Sequence, residues 1–152
     1  MRGRTSPEGY YRDSYDYDQL RSVLLDPLGP GGDRTYRTQV FDWRTDSTVS
    51  VPAETAPESA VLVIDGIFLH RPELRACWDF SVFLRVGFGT SFGRMAGRDG
   101  SPPDPADAAN QRYLEGQRLY LAEASPDQHA TVVVDNDDLA LPVVVRDRAQ
   151  PV

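Results

Sequence analysis

Arg94 and Arg98 stand four residues apart, followed by Asp99 and Gly100. On a helix this spacing puts both guanidiniums on one face. There, two planar forks of donors would fit the oxygens of a polyphosphate, or they would simply make a solvated helix face. Asp65 ends the run Ala60-Val61-Leu62-Val63-Ile64 and is followed by Gly66. Open α/β sheets present ligand-facing groups at the carboxyl ends of buried strands; the plainer reading is an aspartate that caps the next turn. Tyr10, Tyr11, Tyr15 and Tyr17 are interleaved with Asp13, Asp16 and Asp18. Such a mixture can stack on a base and hydrogen-bond a sugar, and it also occurs in ordinary surface arms. Phe41, Asp42 and Trp43 add two aromatics, suited to base contact or to cross-strand packing.

Several chemistries are excluded by what the chain lacks. All sixteen basic residues are arginine, which removes a phosphate-loop lysine, a Schiff base and a lysine general base. No Gly-x-x-x-x-Gly-Lys-Ser/Thr, Gly-x-Gly-x-x-Gly or His-Glu-x-x-His sequence is present. Cys77 is the single cysteine, so an internal disulfide and a cysteine-based zinc site are both excluded, and its apolar neighbourhood reads as core. His70 and His129 do not stand in a metal-ligand spacing. The net charge is −7, and residues 101–152 hold nine acids against four arginines, which argues against general nucleic-acid binding. No apolar run approaches the length of a membrane span. Met1 to Pro7 carries two arginines without an apolar stretch behind them, unlike a secretory signal, so the expected compartment is the cytoplasm.

The elements that would position these residues read as one α/β domain over residues 1–152. Residues 1–15, polar and tyrosine-rich with Gly3, Pro7 and Gly9, predict an irregular arm. Tyr17, Leu20, Val23 and Leu24 have helical spacing, with Asp16 or Asp18 as the cap, and Pro27 to Gly32 ends the helix. Residues 36–43 and 48–51 flank a polar turn and predict a β-hairpin, which makes 36–51 an insertion. The run 60–64 predicts a strand buried on both faces, and 79–86 and 130–134 repeat the type. Between these two, helices are expected around 90–98 and over 104–124. Together they form a lid-like helical region, 87–125, broken at Gly100-Ser101-Pro102-Pro103. Strands alternating with helices imply a parallel sheet with right-handed crossovers.

Taken in order, Tyr15-Asp16-Tyr17-Asp18, Val40-Phe41-Asp42-Trp43, Val63-Ile64-Asp65-Gly66-Ile67-Phe68 and the Arg94 to Asp99 stretch resemble the uridine/cytidine kinase branch of P-loop kinases. The stretch Gly3-Arg4-Thr5-Ser6-Pro7-Glu8-Gly9-Tyr10-Tyr11 is similar to bacterial uridine kinase-like proteins, and the likeness runs on through Asp135-Asn136. The resemblance implies an incomplete P-loop kinase-type parallel sheet flanked by helices, with a β-hairpin nucleoside-binding insertion. It also implies phosphoryl transfer from ATP and Mg2+ to a pyrimidine nucleoside. Tyr17 and Asp18 would contact the nucleoside, and Phe41 and Trp43 would flank its base. Asp65 would lie near magnesium and phosphates, with Arg94 and Arg98 as lid arginines. Asp46 stands where several relatives have a base-contacting histidine. The family's phosphate-binding loop and the strand bearing its catalytic aspartate would lie before Met1. The expectation is therefore a truncated phosphotransferase that is inactive alone and whose own ATP binding is doubtful; the alternative is a non-catalytic nucleoside-binding or regulatory module.

Overall fold

A computed structural model of the chain describes residues 3, 5–42 and 44–149. In chain order these form α1 (Pro7–Asp13), α2 (Tyr17–Leu20), a π-helical turn (Arg21–Leu25), α3 (Asp26–Leu28), β1 (Thr35–Tyr36), β2 (Phe41–Asp42), β3 (Ser47–Thr48) and β4 (Glu54–Thr55). They continue with α4 (Pro72–Arg75), β5 (Val82–Arg85), α5 (Phe88–Asp99), a 3-10 turn (Ala108–Asn110), α6 (Gln111–Ala124), α7 (Pro126–His129), β6 (Val132–Asp135) and β7 (Val143–Asp147). The expected single domain divides into two compact units, one of residues 1–15 with 67–152 and the other of residues 16–66.

The first unit holds the aromatic core. Instead of an irregular arm, its N-terminal segment carries a helix. Ser6 caps α1 by accepting from Gly9 N at 2.9 Å, and Pro7 sits where its missing N–H costs nothing. Of the tyrosines that suggested a surface arm, Tyr11 is buried and Tyr10 packs against it in the core, while Tyr15 stays exposed. The Phe68 ring meets Tyr10 at 5.1 Å, Tyr11 at 5.3 Å and Tyr120 at 5.2 Å, each edge to face. Such pairs contribute about 0.5–1.5 kcal/mol each beyond their area. α1 lies close against α6, where a Cβ on Gly116 would come within 2.5 Å of the Tyr10 ring. Arg71 ties the layers together, its guanidinium 4.9 Å over the Tyr11 ring while Nη1 donates to Tyr11 O at 3.0 Å.

β5 pairs with β6 in parallel, and β6 pairs with β7 antiparallel, so the sheet is mixed rather than the all-parallel one expected. α5, α6 and α7 lie in the crossover between the parallel strands, which is the expected alternation. Gly100, at φ 73°, ends α5, and Ser125, at φ 42°, ends α6 ahead of Pro126. Phe83 and Val133 look toward the core, while Val82, Leu84 and Val144 remain exposed.

In the second unit the chain is helical throughout Tyr17–Leu28, as its periodicity implies, with the middle turn widened to π geometry. The expected hairpin is shorter than its sequence suggests, because Phe41 and Asp42 pair with Thr48 and Ser47, whereas Thr35 and Tyr36 pair with Thr55 and Glu54. Residues 60–64 form no strand. Val61 and Val63 are each 85% exposed. An apolar run becomes a buried strand only where neighbours supply a ladder and two covering faces, and no described residue pairs with this run.

His70 is buried under the Phe83 ring, 6.1 Å away, and its Nε2 has no hydrogen-bond partner among the described residues. Burial first, then the charges of Arg75 and His129, lower its pKa below the ordinary 6.5. The unfolded chain therefore takes a proton near 6.5 while the folded chain does not. The stabilising contribution is complete above that pH and is lost as pH falls below it, by up to about 1.4 kcal/mol per unit, levelling off past the folded value. We expect His70→Gln to shrink the fall in melting temperature between neutral and mildly acidic buffer. An unchanged fall would show that His70 does not govern this window.

Candidate functional site

The carboxyl ends of β5 and β6 form the best-built polar site in the first unit. Parallel register sets Arg85 beside Asp135, and Arg85 Nη2 donates to Asp135 Oδ2 at 2.9 Å. That hydrogen bond is the main reason the Asp135 carboxyl lies below the usual range. Asn136 N donates to Arg85 O at 2.9 Å, and Asp137 N donates to Asp135 Oδ1 at 3.2 Å, so the chain turns tightly out of β6. Gly87 N, at the start of α5, donates to Asp137 Oδ1 at 2.8 Å. A carboxylate thus already sits at the positive end of the helix.

Arg94, one and a half turns into α5, reaches back to this corner. Its Nη2 donates to Asn136 O at 2.8 Å and to Asp137 O at 2.9 Å. Both acceptors are carbonyls, and no carboxylate pairs with Arg94 among the described residues, so its charge is held in place without being neutralised. Arg98 behaves differently. Its side chain is 77% exposed and lies 3.6 Å from neighbouring Asp99. The Asp99 carboxyl is lowered mainly by its hydrogen bonds to Ser101, with Arg98 a smaller cause. Arg94 and Arg98 are on one helix, as the spacing requires, but Arg94 is an anchor and Arg98 extends into solvent.

In the second unit, Asp16 caps α2 by accepting from Gln19 N at 2.9 Å, which leaves Tyr17 and Asp18 in the first turn. Tyr17 is buried and Asp18 exposed. Phe41 lies on β2 and is 44% exposed. Asp65 is exposed on an extended segment that is not part of a sheet. Trp43 lies outside the described residues.

Two clefts lie elsewhere in the first unit. One, of about 280 Å³, is bounded by Tyr11, Arg12, Arg71, Glu73 and Glu123. The other, of about 460 Å³, is bounded by Pro7, Gln111, Arg112 and Tyr113. The first takes in Tyr11 of the tyrosine-rich stretch, and neither takes in Arg94 or Arg98. The Arg85, Asp135 and Asp137 corner was missed because it depends on the parallel pairing of strands fifty residues apart; its one sequence signal is a charged residue at the end of each apolar run. No group of three or more His, Cys, Asp or Glu residues is placed to hold a metal ion among the described residues, and none of their helices is long and apolar enough to cross a membrane. No family model, curated protein or solved structure matches the chain.

The contrast between the two α5 arginines is measurable. We expect Arg94→Ala to destabilise the first unit by about 1.5–3 kcal/mol, the usual worth of hydrogen bonds to a charged donor. Arg98→Ala should stay within about 0.5 kcal/mol of the parent, as surface changes do. Urea unfolding followed by circular dichroism separates the two, and equal effects would contradict the anchoring role.

Proposed function

We propose that the chain is the nucleoside-binding and lid portion of a uridine kinase-like phosphotransferase. The observation that carries this reading is Arg94, a cation fixed on a helix at the carboxyl ends of two parallel strands, where α/β folds bind their ligands. A guanidinium there would offset charge that develops on a transferring phosphoryl group. Arg98, free to move on the exposed face of the same helix, is suited to closing onto a bound nucleotide. Tyr17, Asp18, Phe41 and Trp43 are assigned to the nucleoside: Asp18 as acceptor for ribose hydroxyls, and Phe41 and Trp43 as surfaces for the base. Asp65 is assigned to the phosphate side.

The absence of lysine and of any phosphate-cradling loop limits what these residues do alone. Backbone amides of such a loop and its lysine supply most of the charge stabilisation in phosphoryl transfer. The same absence favours a second reading, a nucleoside-binding module without catalysis.

Purified chain should give no ATP-dependent phosphorylation of uridine or cytidine above a blank. It should still bind uridine weakly, seen as saturation transfer to the ribose protons, and Asp18→Ala should abolish that signal. Turnover by the pure chain would refute the division of labour proposed here. Uridine without any saturation transfer would refute both the kinase and the binding-module readings.

A further inference from the structure

The amino ends of β5 and β6, opposite the Arg94 corner, gather positive charge in a chain whose net charge is −7. Arg75 ends α4, His129 ends α7, Arg146 lies near the end of β7, and Arg148 follows it. Hydrogen bonds and strand register bring all four around one short helix. Arg75 Nη2 donates to Ala124 O at 2.9 Å, on the last residue of α6, just ahead of α7. Arg148 N donates to Thr131 O at 2.9 Å, just behind α7. Arg146 stands opposite Val133 in the antiparallel ladder.

These arginines lack the carboxylate partners that seven other arginines of the chain possess. Arg12, Arg21, Arg34, Arg71, Arg85, Arg98 and Arg118 each have a carboxylate within 4 Å. Arg75, Arg146 and Arg148 have none among the described residues. Arg146 Nε and Nη2 and Arg75 Nε are shielded from solvent and donate to nothing there. A buried donor left unsatisfied costs about 1–3 kcal/mol, and more when it carries charge. The imidazole of His129 registers the same field: burial lowers its pKa first, followed by Arg75, Arg148 and Arg146, with Asp127 the acid that opposes them.

A ligand that satisfies this cluster must bring several acceptor oxygens and more than one negative charge. Guanidinium forks match the tetrahedral oxygens of a phosphate in this way. The four residues surround one short helix in an acidic chain, which fits a single small anion rather than a nucleic-acid backbone. We propose that the guanidiniums of Arg75, Arg146 and Arg148, with His129 as a further donor, form a binding site for a phosphate-class oxyanion at the α7 end of the first unit. Within the first unit it lies at the opposite ends of the strand pair from Arg94, shares no residue with the nucleoside and lid assignments, and so stands or falls independently of the kinase reading.

The test titrates the 152-residue chain with inorganic phosphate and, separately, with glycerol phosphate, at neutral pH with ionic strength held by sodium chloride. The His129 imidazole is followed by nuclear magnetic resonance. Binding should saturate at millimolar ligand and raise the His129 pKa. Arg148→Gln, an exposed position where the fold is not at risk, should weaken it roughly tenfold, as loss of one charged hydrogen bond would. Arg118→Gln makes the same charge change beside Glu115 on α6 and should leave the midpoint unmoved. A tighter midpoint for glycerol phosphate assigns the site to an organic phosphate, and a tighter midpoint for inorganic phosphate assigns it to the free ion. A His129 signal that does not respond to either ligand, or equal effects of the two arginine substitutions, would overturn the proposal.

Discussion

The first unit is organised by the burial of Phe68 among three tyrosines that come from both ends of its sequence. Tyr10 and Tyr11 belong to α1, and Tyr120 to α6. Phe68 itself adopts φ 63°, a left-handed conformation that costs a non-glycine residue about 1–2 kcal/mol. Three edge-to-face contacts offset that cost, and the backbone bend they hold directs the chain from the 60–66 segment into α4. His70 N donates to Tyr120 Oη at 3.2 Å, and Trp78 Nε1 donates to Leu69 O at 2.8 Å, so the turn that follows is fixed to the same core. Because Phe83 and Val133 pack toward this side, the aromatic cluster also sets which face of the β5–β6 pair is covered.

The two ends of that parallel pair carry charge in different ways. At the carboxyl ends, Arg85 and Asp135 neutralise each other while Arg94 is held by carbonyls. At the amino ends, three arginines have no carboxylate among the described residues. The first follows from parallel pairing between strands that are far apart in sequence, and the second draws also on the antiparallel return of β7, which carries Arg146. Cationic groups held by neutral acceptors or by none are the ones available to an anionic ligand.

Local signals in the sequence carried α2 and α5 well, whereas the helix expected over 104–124 is α-helical only over Gln111–Ala124. The Gly100 stop of α5, the Asp16 cap of α2 and the apolar spacing of residues 17–28 all act over one or two turns, and each is reproduced. The strands at 82–85 and 132–135 were legible as short apolar runs, but their mixed sheet was not, because β7 pairs back through a connection that periodicity does not describe. Residues 60–64 read as the most convincing strand of all. Composition reports only that such a run would be stable if covered, and here it has no partner. The opposite error fell on α1: Tyr10 and Tyr11 beside polar residues looked like a surface arm, yet their rings are apolar enough to build a core once Phe68 reaches them. Of the site residues, the Arg94 and Arg98 pairing on one helix was legible, while their different partners depended on tertiary contacts from residues 136 and 137.

That the N-terminal helix is an integral part of the first unit's core is the claim on which the fold account rests, and native-state hydrogen exchange tests it most directly. The amides of Tyr11, Arg12 and Asp13 should open with the same free energy as those of Val133 and Val134 in the central strand, while residues 61–64 exchange freely. Rapid, peptide-like exchange across Tyr11 to Asp13 alongside a protected β6 would contradict it, since the aromatic cluster could not then be holding α1 in the core.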